Sequence, residues 1–235
     1  MTLLNFRDVA STVGPRLRPG LLYRSAQPAA LTAADLAAAP GLRSVIDLRS
    51  PQERTERDWA VAEELGATVV NLAGEGSPSD VSKLPAGVTL GQLYVLMLDH
   101  RAAWFAAVVA EIADGLPALV NCAAGKDRTG ITVALVLDLV GIGHEEIVRD
   151  YTATAAAMPE VLAMLGLAGG GRSNGGSEHR YDVAAAEVSG LLDAPEQAIR
   201  AFLQALTERG GAEAVLGGHG LTPEHVERLR AALTA

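Results

Sequence analysis

The chain has 235 residues, 49% of them apolar, and its 19 basic against 28 acidic side chains leave a net charge of −9. Such a composition excludes a disordered chain, and the length suits a single large domain with a substantial core. The acidic balance excludes a general binder of nucleic acid or anionic membrane, so a phosphate-bearing partner has to be held by local cations and dipoles.

Arg7 and Asp8 interrupt the N-terminus before an apolar signal-peptide core can form. Cytosol is the default compartment, with export by a signal-less route left open. Gly20 to Arg24 reads as a strand, Thr32-Ala33-Ala34-Asp35 as a capping box opening a short Ala-rich helix, and Ser44 to Arg49 as the next strand. Ser50-Pro51-Gln52-Glu53 combines an N-cap residue, a proline at the first helical position and an acid at the third, which predicts a helix start. Ala67 to Leu72 is a third apolar strand. The Gly-, Ser- and Pro-rich stretch from Ala73 to Gly87 is long for a loop and is expected either to be disordered or to border a site. Helical patterns follow over Leu90 to Leu98 and Ala102 to Ala113, then a strand over Ala118 to Asn121. Strands alternating with helices predict an α/β fold, a mostly parallel central sheet flanked by helices.

Downstream the chain reads as helical throughout: Ile131 to Val140, His144 to Leu165 with Pro159 breaking or kinking it, Val183 to Leu192, Glu196 to Glu208, and Pro223 to Leu233 behind the N-cap Thr222. Gly166 to Ser177 is glycine-rich and expected to be mobile. No repeat and no second domain is evident, so residues 1–235 are expected to form one domain. Within it, residues 155–195 are either a lid-like helical insertion or a loose surface loop. The apolar run Ile131 to Ile142 contains Asp138 and is too short to span a bilayer, so no integral membrane segment is expected.

The chemistry concentrates in Asn121-Cys122-Ala123-Ala124-Gly125-Lys126-Asp127-Arg128-Thr129-Gly130. It holds the chain's one cysteine, which allows no internal disulfide. A strand, a tight loop and a helix N-terminus would converge on this thiol. A free thiol titrates at about 8.5 and needs positive potential to ionise, which backbone N–H groups at a helix N-terminus supply. The same groups bind phosphate oxygens, and the small Ala123, Ala124 and Gly125 let the backbone close around an anion. Arg128 can set a planar, permanently charged fork on two equatorial oxygens, and the Thr129 hydroxyl is near enough to hydrogen-bond the thiolate. Singly these are a core cysteine, a surface arginine and a packed threonine; together they point to a cysteine-dependent phosphatase.

Cys-x5-Arg-Thr is the signature of protein tyrosine and dual-specificity phosphatases, and the fuller run resembles the bacterial atypical, PtpB-like tyrosine phosphatases. The resemblance extends to Asn5-Phe6-Arg7-Asp8-Val9, Gly20 to Ala26, Val45 to Arg49, Gly210-Gly211-Ala212-Glu213 and Gly220-Leu221-Thr222. It implies the tyrosine phosphatase fold and a two-step reaction: Cys122 attacks phosphorus, and water hydrolyses the phosphocysteine. N–H groups from Ala123 to Arg128 and the Arg128 guanidinium would hold the equatorial oxygens. The leaving oxygen needs a proton, and the resemblance puts Asp127 first as the general acid. Asp47, at the end of a strand, is the reserve acid, or else a cap near Pro51 or a partner for Arg49 or Arg128. In the family a lysine at the position of Lys126 goes with a broader substrate range, including phosphoinositides; its other reading is a solvated surface lysine. Most tyrosine phosphatases carry histidine where Asn121 stands, so a less acidic Cys122 is expected.

The expected substrate is a phosphorylated protein, phosphotyrosine before phosphoserine or phosphothreonine, or a phosphoinositide; no cofactor is implied. A nucleotide P-loop fails, because Val120 stands five residues before Gly125 and Asp127 replaces the magnesium-binding hydroxyl. Rhodanese or arsenate-reductase chemistry, the latter dependent on an external thiol, and a non-catalytic phosphate-binding module remain as alternatives. His100, His144, His179, His219 and His225 show no metal-ligand spacing with each other or with Cys122. Tyr151 resembles a family position near the site but reads more simply as packing.

Overall fold

The computed structural model describes residues 3–55, 57–74, 87–167 and 193–234. The predicted helix Val183 to Leu192, and most of Ala73 to Gly87, of Gly166 to Ser177 and of the lid-like 155–195, lie outside them. Among the described residues the strands are β1 (Arg7–Asp8), β2 (Leu22–Ser25), β3 (Ser44–Asp47), β4 (Thr68–Asn71) and β5 (Ala118–Asn121). They form one sheet in the order β1-β2-β5-β3-β4. Only β1 is antiparallel; β2, β5, β3 and β4 run parallel, with Ser25, Asn121, Asp47 and Asn71 in register at their C-terminal ends. The fold is thus α/β with a mostly parallel sheet.

Parallel strands covered on both faces read as unbroken apolar runs, and β2, β3 and β5 are buried along their whole length. Their side chains alternate. Leu22, Ile46 and Val120 join the larger core with helices α1 (Ala10–Val13), α4 (Leu90–Gly115), α5 (Asp127–Leu139) and α6 (His144–Thr152). The same core takes in α8 (Glu196–Glu208), α9 (Gly211–Gly217) and α10 (Pro223–Leu233). Tyr23, Val45 and Leu119 face the other way, onto Leu36 of α2 (Ala33–Leu36) and Ala62 of α3 (Ala60–Glu64), with Trp59 beside them. A short helix α7 (Met158–Met164) packs with Ala26 at the edge.

Several boundaries differ from the sequence reading for local reasons. The two helical patterns before β5 are one element, α4, broken at Arg101 (φ −135°, ψ 23°). At 26 residues α4 is long and apolar enough to cross a membrane, yet half of its apolar window is buried in the fold, as suits a core helix. The start at Ser50 yields a single 3-10 turn, Pro51–Glu53, because Arg54 is already extended. Pro159 lies in the first turn of α7, where its missing N–H costs nothing, and a 3-10 segment, Ala153–Ala157, separates α7 from α6. Glycine-rich α9 gave no helical signal. It is held from outside: Ala212 and Leu216 are buried, and Asp138 Oδ2 accepts the Ala212 N–H at 2.8 Å.

Helix α8 closes the helical face, with Ile199, Phe202 and Leu206 fully buried against the core. Truncating Phe202 to alanine removes a large fully enclosed side chain, so a loss of about 3–5 kcal/mol is expected from urea unfolding.

Candidate active site

The parallel strands all end at one edge, where ligand sites of such sheets form. The central strand β5 stops at Asn121, flanked by Ser25 on β2 and Asp47 on β3. Cys122 follows, 2% exposed, and the chain turns through Ala123 to Lys126 into α5. Gly125 makes the turn feasible. Its φ is +65°, and a Cβ there would lie 2.3 Å from the Ser25 carbonyl oxygen. Backbone, not a flexible side chain, occupies that space, so only glycine fits.

Five carbonyls of this turn are engaged away from its interior. Asn121 O accepts from Leu48 N at 2.9 Å, Ala123 O from Gln27 N at 3.0 Å, and Lys126 O from Gly130 N at 2.7 Å. Ala124 O accepts from Asn5 Nδ2 at 3.1 Å; Gly125 O accepts from Asn5 Nδ2 at 3.0 Å and from Arg24 Nη2 at 2.7 Å. In a trans peptide plane the C=O of one residue is antiparallel to the N–H of the next. The N–H groups of Ala124, Gly125, Lys126 and Asp127 therefore point to the opposite side, toward the inside of the turn. No acceptor among the described residues receives the N–H of Ala123, Ala124, Gly125 or Asp127. Such a nest of N–H groups at a helix N-terminus has the geometry and polarity that suit an anion.

Arg128, on the first turn of α5, is almost buried. Its Nη1 donates to Leu48 O at 3.0 Å and to Glu53 Oε2 at 2.8 Å, and its Nη2 to Glu53 Oε1 at 2.7 Å. Burial alone would raise the Glu53 carboxyl, but the Arg128 fork and Ser50 hold it below the ordinary glutamate value. A second guanidinium, Arg101 at the break in α4, is lowered by its burial and by repulsion from Arg128.

Asp47 is buried and faces a ring of donors. Arg49 N, Nε and Nη2, Trp59 Nε1 and Asn121 Nδ2 all lie within 3.2 Å of its oxygens. This matches the reading of Asp47 as a partner for Arg49. Asp127 sits differently: its side chain is 29% exposed, and Oδ1 accepts from Tyr94 Oη at 2.6 Å. The Tyr94 and Tyr151 hydroxyls share a bond of 2.7 Å. Burial first, and the Asp127 charge second, push both phenols far above their usual range. Lys126 is buried, not a solvated surface lysine: its Nζ donates to Asp193 O at 2.9 Å and lies 3.4 Å from Asp127 Oδ1. Thr129 Oγ1, Ser25 Oγ and Asn121 Oδ1 are buried with no hydrogen-bond partner among the described residues, so the expected Thr129 bond to the thiol is not formed here.

A sequence model of the tyrosine phosphatase family matches residues 1–235. The chain belongs to the tyrosine phosphatase family. It is similar to a candidate tyrosine-protein phosphatase of Cupriavidus necator, 33% identical over 165 residues, 64% of this chain and 60% of that protein. It is also similar to the triple specificity protein phosphatase PtpB of Mycobacterium tuberculosis, 30% identical over 195 residues, 68% of this chain and 70% of that protein. A tyrosine-protein phosphatase of Nostoc commune is 35% identical over 127 residues, 52% of this chain and 43% of that protein. The match with the first of these thus spans less than two thirds of that protein's length.

Within this family member, the structure brings Cys122, Ala123, Ala124, Gly125, Lys126, Asp127, Arg128 and Thr129 together at one strand-to-helix turn, with Asp47 behind it. Sequence reasoning missed the groups that hold them. Glu53 appeared only as the third residue of a helix start; its role for Arg128 spans 75 residues and leaves no local trace. Tyr94 sat inside an apolar helical pattern. Asn5 and Arg24 lay in matches to the family that carried no stated chemistry, and Asp150 lay unread beside Tyr151.

The Glu53–Arg128 pair gives a pH signature. A carboxyl depressed in the fold stabilises it above its ordinary value of about 4.3, and that contribution fades as pH falls through the lower folded-state value. Glu53→Gln is expected to cost about 1.5–3 kcal/mol at pH 7, the range for hydrogen bonds to charged groups. In urea unfolding curves the gap to wild type should narrow below pH 4, as the wild-type carboxyl protonates.

Proposed function

We propose that the chain hydrolyses phosphate monoesters with Cys122 as nucleophile. The observation that carries this reading is the turn that follows Cys122, whose carbonyls face outward, whose N–H groups are left without acceptors among the described residues, and whose Arg128 is fixed by Glu53. The phosphoryl oxygens bind in the cradle, and Cys122 Sγ attacks phosphorus in line. An S–P bond forms as the P–O bond to the leaving group breaks, and Asp127 passes its proton to the departing oxygen. Water then attacks the phosphocysteine, Asp127 takes a proton from it, and the S–P bond breaks to release phosphate and the thiolate. Asp127 is preferred over Asp47 because it is solvent-accessible, whereas Asp47 already accepts from Arg49, Trp59 and Asn121. The donors of the cradle are fixed before substrate arrives, so they need little reorganisation as charge builds on the equatorial oxygens.

Phosphotyrosine is the preferred substrate class. A sulfur on a residue 2% exposed is reached more easily by a phosphate on a long, flat arm than by one on a short serine stem. The name of the mycobacterial relative supports extending the range to more than one phosphoester class. Lys126 is not poised for a second phosphate while its Nζ holds the Asp193 carbonyl, so activity on phosphoinositides requires that contact to open.

The test compares p-nitrophenyl phosphate, phenyl phosphate and a phosphotyrosine peptide as substrates. Cys122→Ser should lose about 10³-fold or more in kcat while still binding vanadate. Asp127→Asn should lose about 10²–10⁴-fold, and more on phenyl phosphate than on p-nitrophenyl phosphate, whose leaving group scarcely needs a proton. A wild-type protein that binds vanadate yet turns over none of the three would instead be a phosphate-binding module.

A further inference from the structure

Most of the outward carbonyls around the loop are held by main-chain N–H groups, which the sheet and helix supply automatically. Ala124 O and Gly125 O are not. Their donors are side chains from the N-terminal part of the chain, Asn5 and Arg24. These two carbonyls belong to the peptide planes that aim the N–H groups of Gly125 and Lys126 inward, the deepest part of the turn.

The donors are themselves held by further hydrogen bonds. Asn5 adopts φ +52°, a left-handed conformation that asparagine tolerates better than most residues. Its side-chain oxygen accepts from Arg7 Nη1 at 2.6 Å, which leaves Nδ2 directed at the loop. Arg7 is held in turn by Asp150, Nε to Oδ1 at 2.9 Å and Nη2 to the backbone oxygen at 2.7 Å. Arg24 is 0% exposed, and its Nη1 pairs with Asp150 Oδ2. Thr12 Oγ1 donates to Asp150 Oδ1 at 2.8 Å. One buried carboxylate thus anchors both arms that reach the loop.

We propose that Asn5 and Arg24 are positioning residues for oxyanion binding: by gripping the Ala124 and Gly125 carbonyls they keep the amide cradle open toward the phosphoryl group. The inference rests on the phosphatase reading for its catalytic consequence, but its binding consequence stands alone. Neither residue touches the substrate. Without the Asn5 amide, the Ala124 carbonyl has no donor among the described residues, and its peptide plane can rotate and carry the Gly125 N–H out of the cradle.

Asn5→Gly is the decisive variant, because glycine accepts positive φ without strain while removing the amide. Asn5→Asp is its companion: it keeps an oxygen toward Arg7 and the tolerance of positive φ, but turns an acceptor toward the two carbonyls. Dissociation constants for tungstate, an unreactive phosphate mimic, are measured by calorimetry well below each protein's melting temperature, beside kcat and KM for p-nitrophenyl phosphate. Both variants are expected to bind tungstate about tenfold more weakly, the size of one lost net hydrogen bond, and kcat/KM should fall at least as far. A merely structural Asn5 would lower the melting temperature and leave the tungstate constant within twofold of wild type, and that result overturns the proposal. If Asn5→Gly does not fold, the Asn5→Asp constant decides alone. If wild type binds tungstate without turnover, the phosphatase reading fails, while the binding comparison still tests the role of Asn5.

Discussion

A peptide plane has a donor edge and an acceptor edge on opposite sides, and the site depends on that constraint. A loop cannot offer successive N–H groups to an anion unless something buried accepts the job of meeting its carbonyls. Here Leu48, Gln27, Asn5, Arg24 and Gly130 do so for the carbonyls of Asn121, Ala123, Ala124, Gly125 and Lys126. The partners come from β1–β2 and their flanks, from the residue after β3, and from α5, so the cradle is a property of the assembled fold rather than of the signature alone. Isolated from those partners, the same residues would have their polar groups satisfied by water in many conformations.

The burial of Arg24, Asp150 and most of Arg7 is costly, because charges leave water. An apolar replacement of similar volume could serve stability as well. It could not serve the loop, since a hydrocarbon offers no donor to the Gly125 carbonyl. Asp150 keeps its charge because the two guanidinium groups outweigh the burial that would otherwise protonate it, and its carboxyl is held below the usual aspartate value. The cluster therefore fixes geometry with groups whose only alternatives are equally charged or leave a buried polar atom bare. That is a reason for conformational specificity rather than for stability.

The pattern of strands and helices was legible because it follows local rules. The run Ala118 to Asn121 is apolar and bounded by Pro117 and the loop, and it is a strand as read. Glu196 to Glu208 and Pro223 to Leu233 show helical periodicity, the latter with a clear start at Thr222, and they too are helices as read. The loop chemistry was legible because a thiol, small residues and an arginine share one short segment. What sequence could not disclose are pairings across long separations: Arg128 with Glu53, Asp127 with Tyr94, Asn5 with Ala124 and Gly125. Glu53 has a sufficient local explanation as a helix-start acid and Tyr94 as a core aromatic, and Asn5 carries no local chemical signal of its own. The two-residue strand β1 is likewise too short for periodicity, and it exists because it pairs with β2.

The proposed anion site in a protein of net charge −9 looks paradoxical until the side chains are paired off. Arg128 faces Glu53, Arg24 and Arg7 share Asp150, Arg49 faces Asp47 and Asp58, and Lys126 lies beside Asp127. The cations around the loop are largely matched by carboxylates, so they impose little net positive field at long range. What is left unmatched is the row of inward amides and the N-terminus of α5, partial charges fixed in direction and effective only at contact. Such a site does not draw anions in from a distance. In the proposed role it would select those whose shape lets three or more oxygens reach the amides at once, as a tetrahedral phosphoryl group can and a monatomic ion cannot. The paired arginine then adds orientation, since its fork is already locked in plane by Glu53 before any ligand arrives.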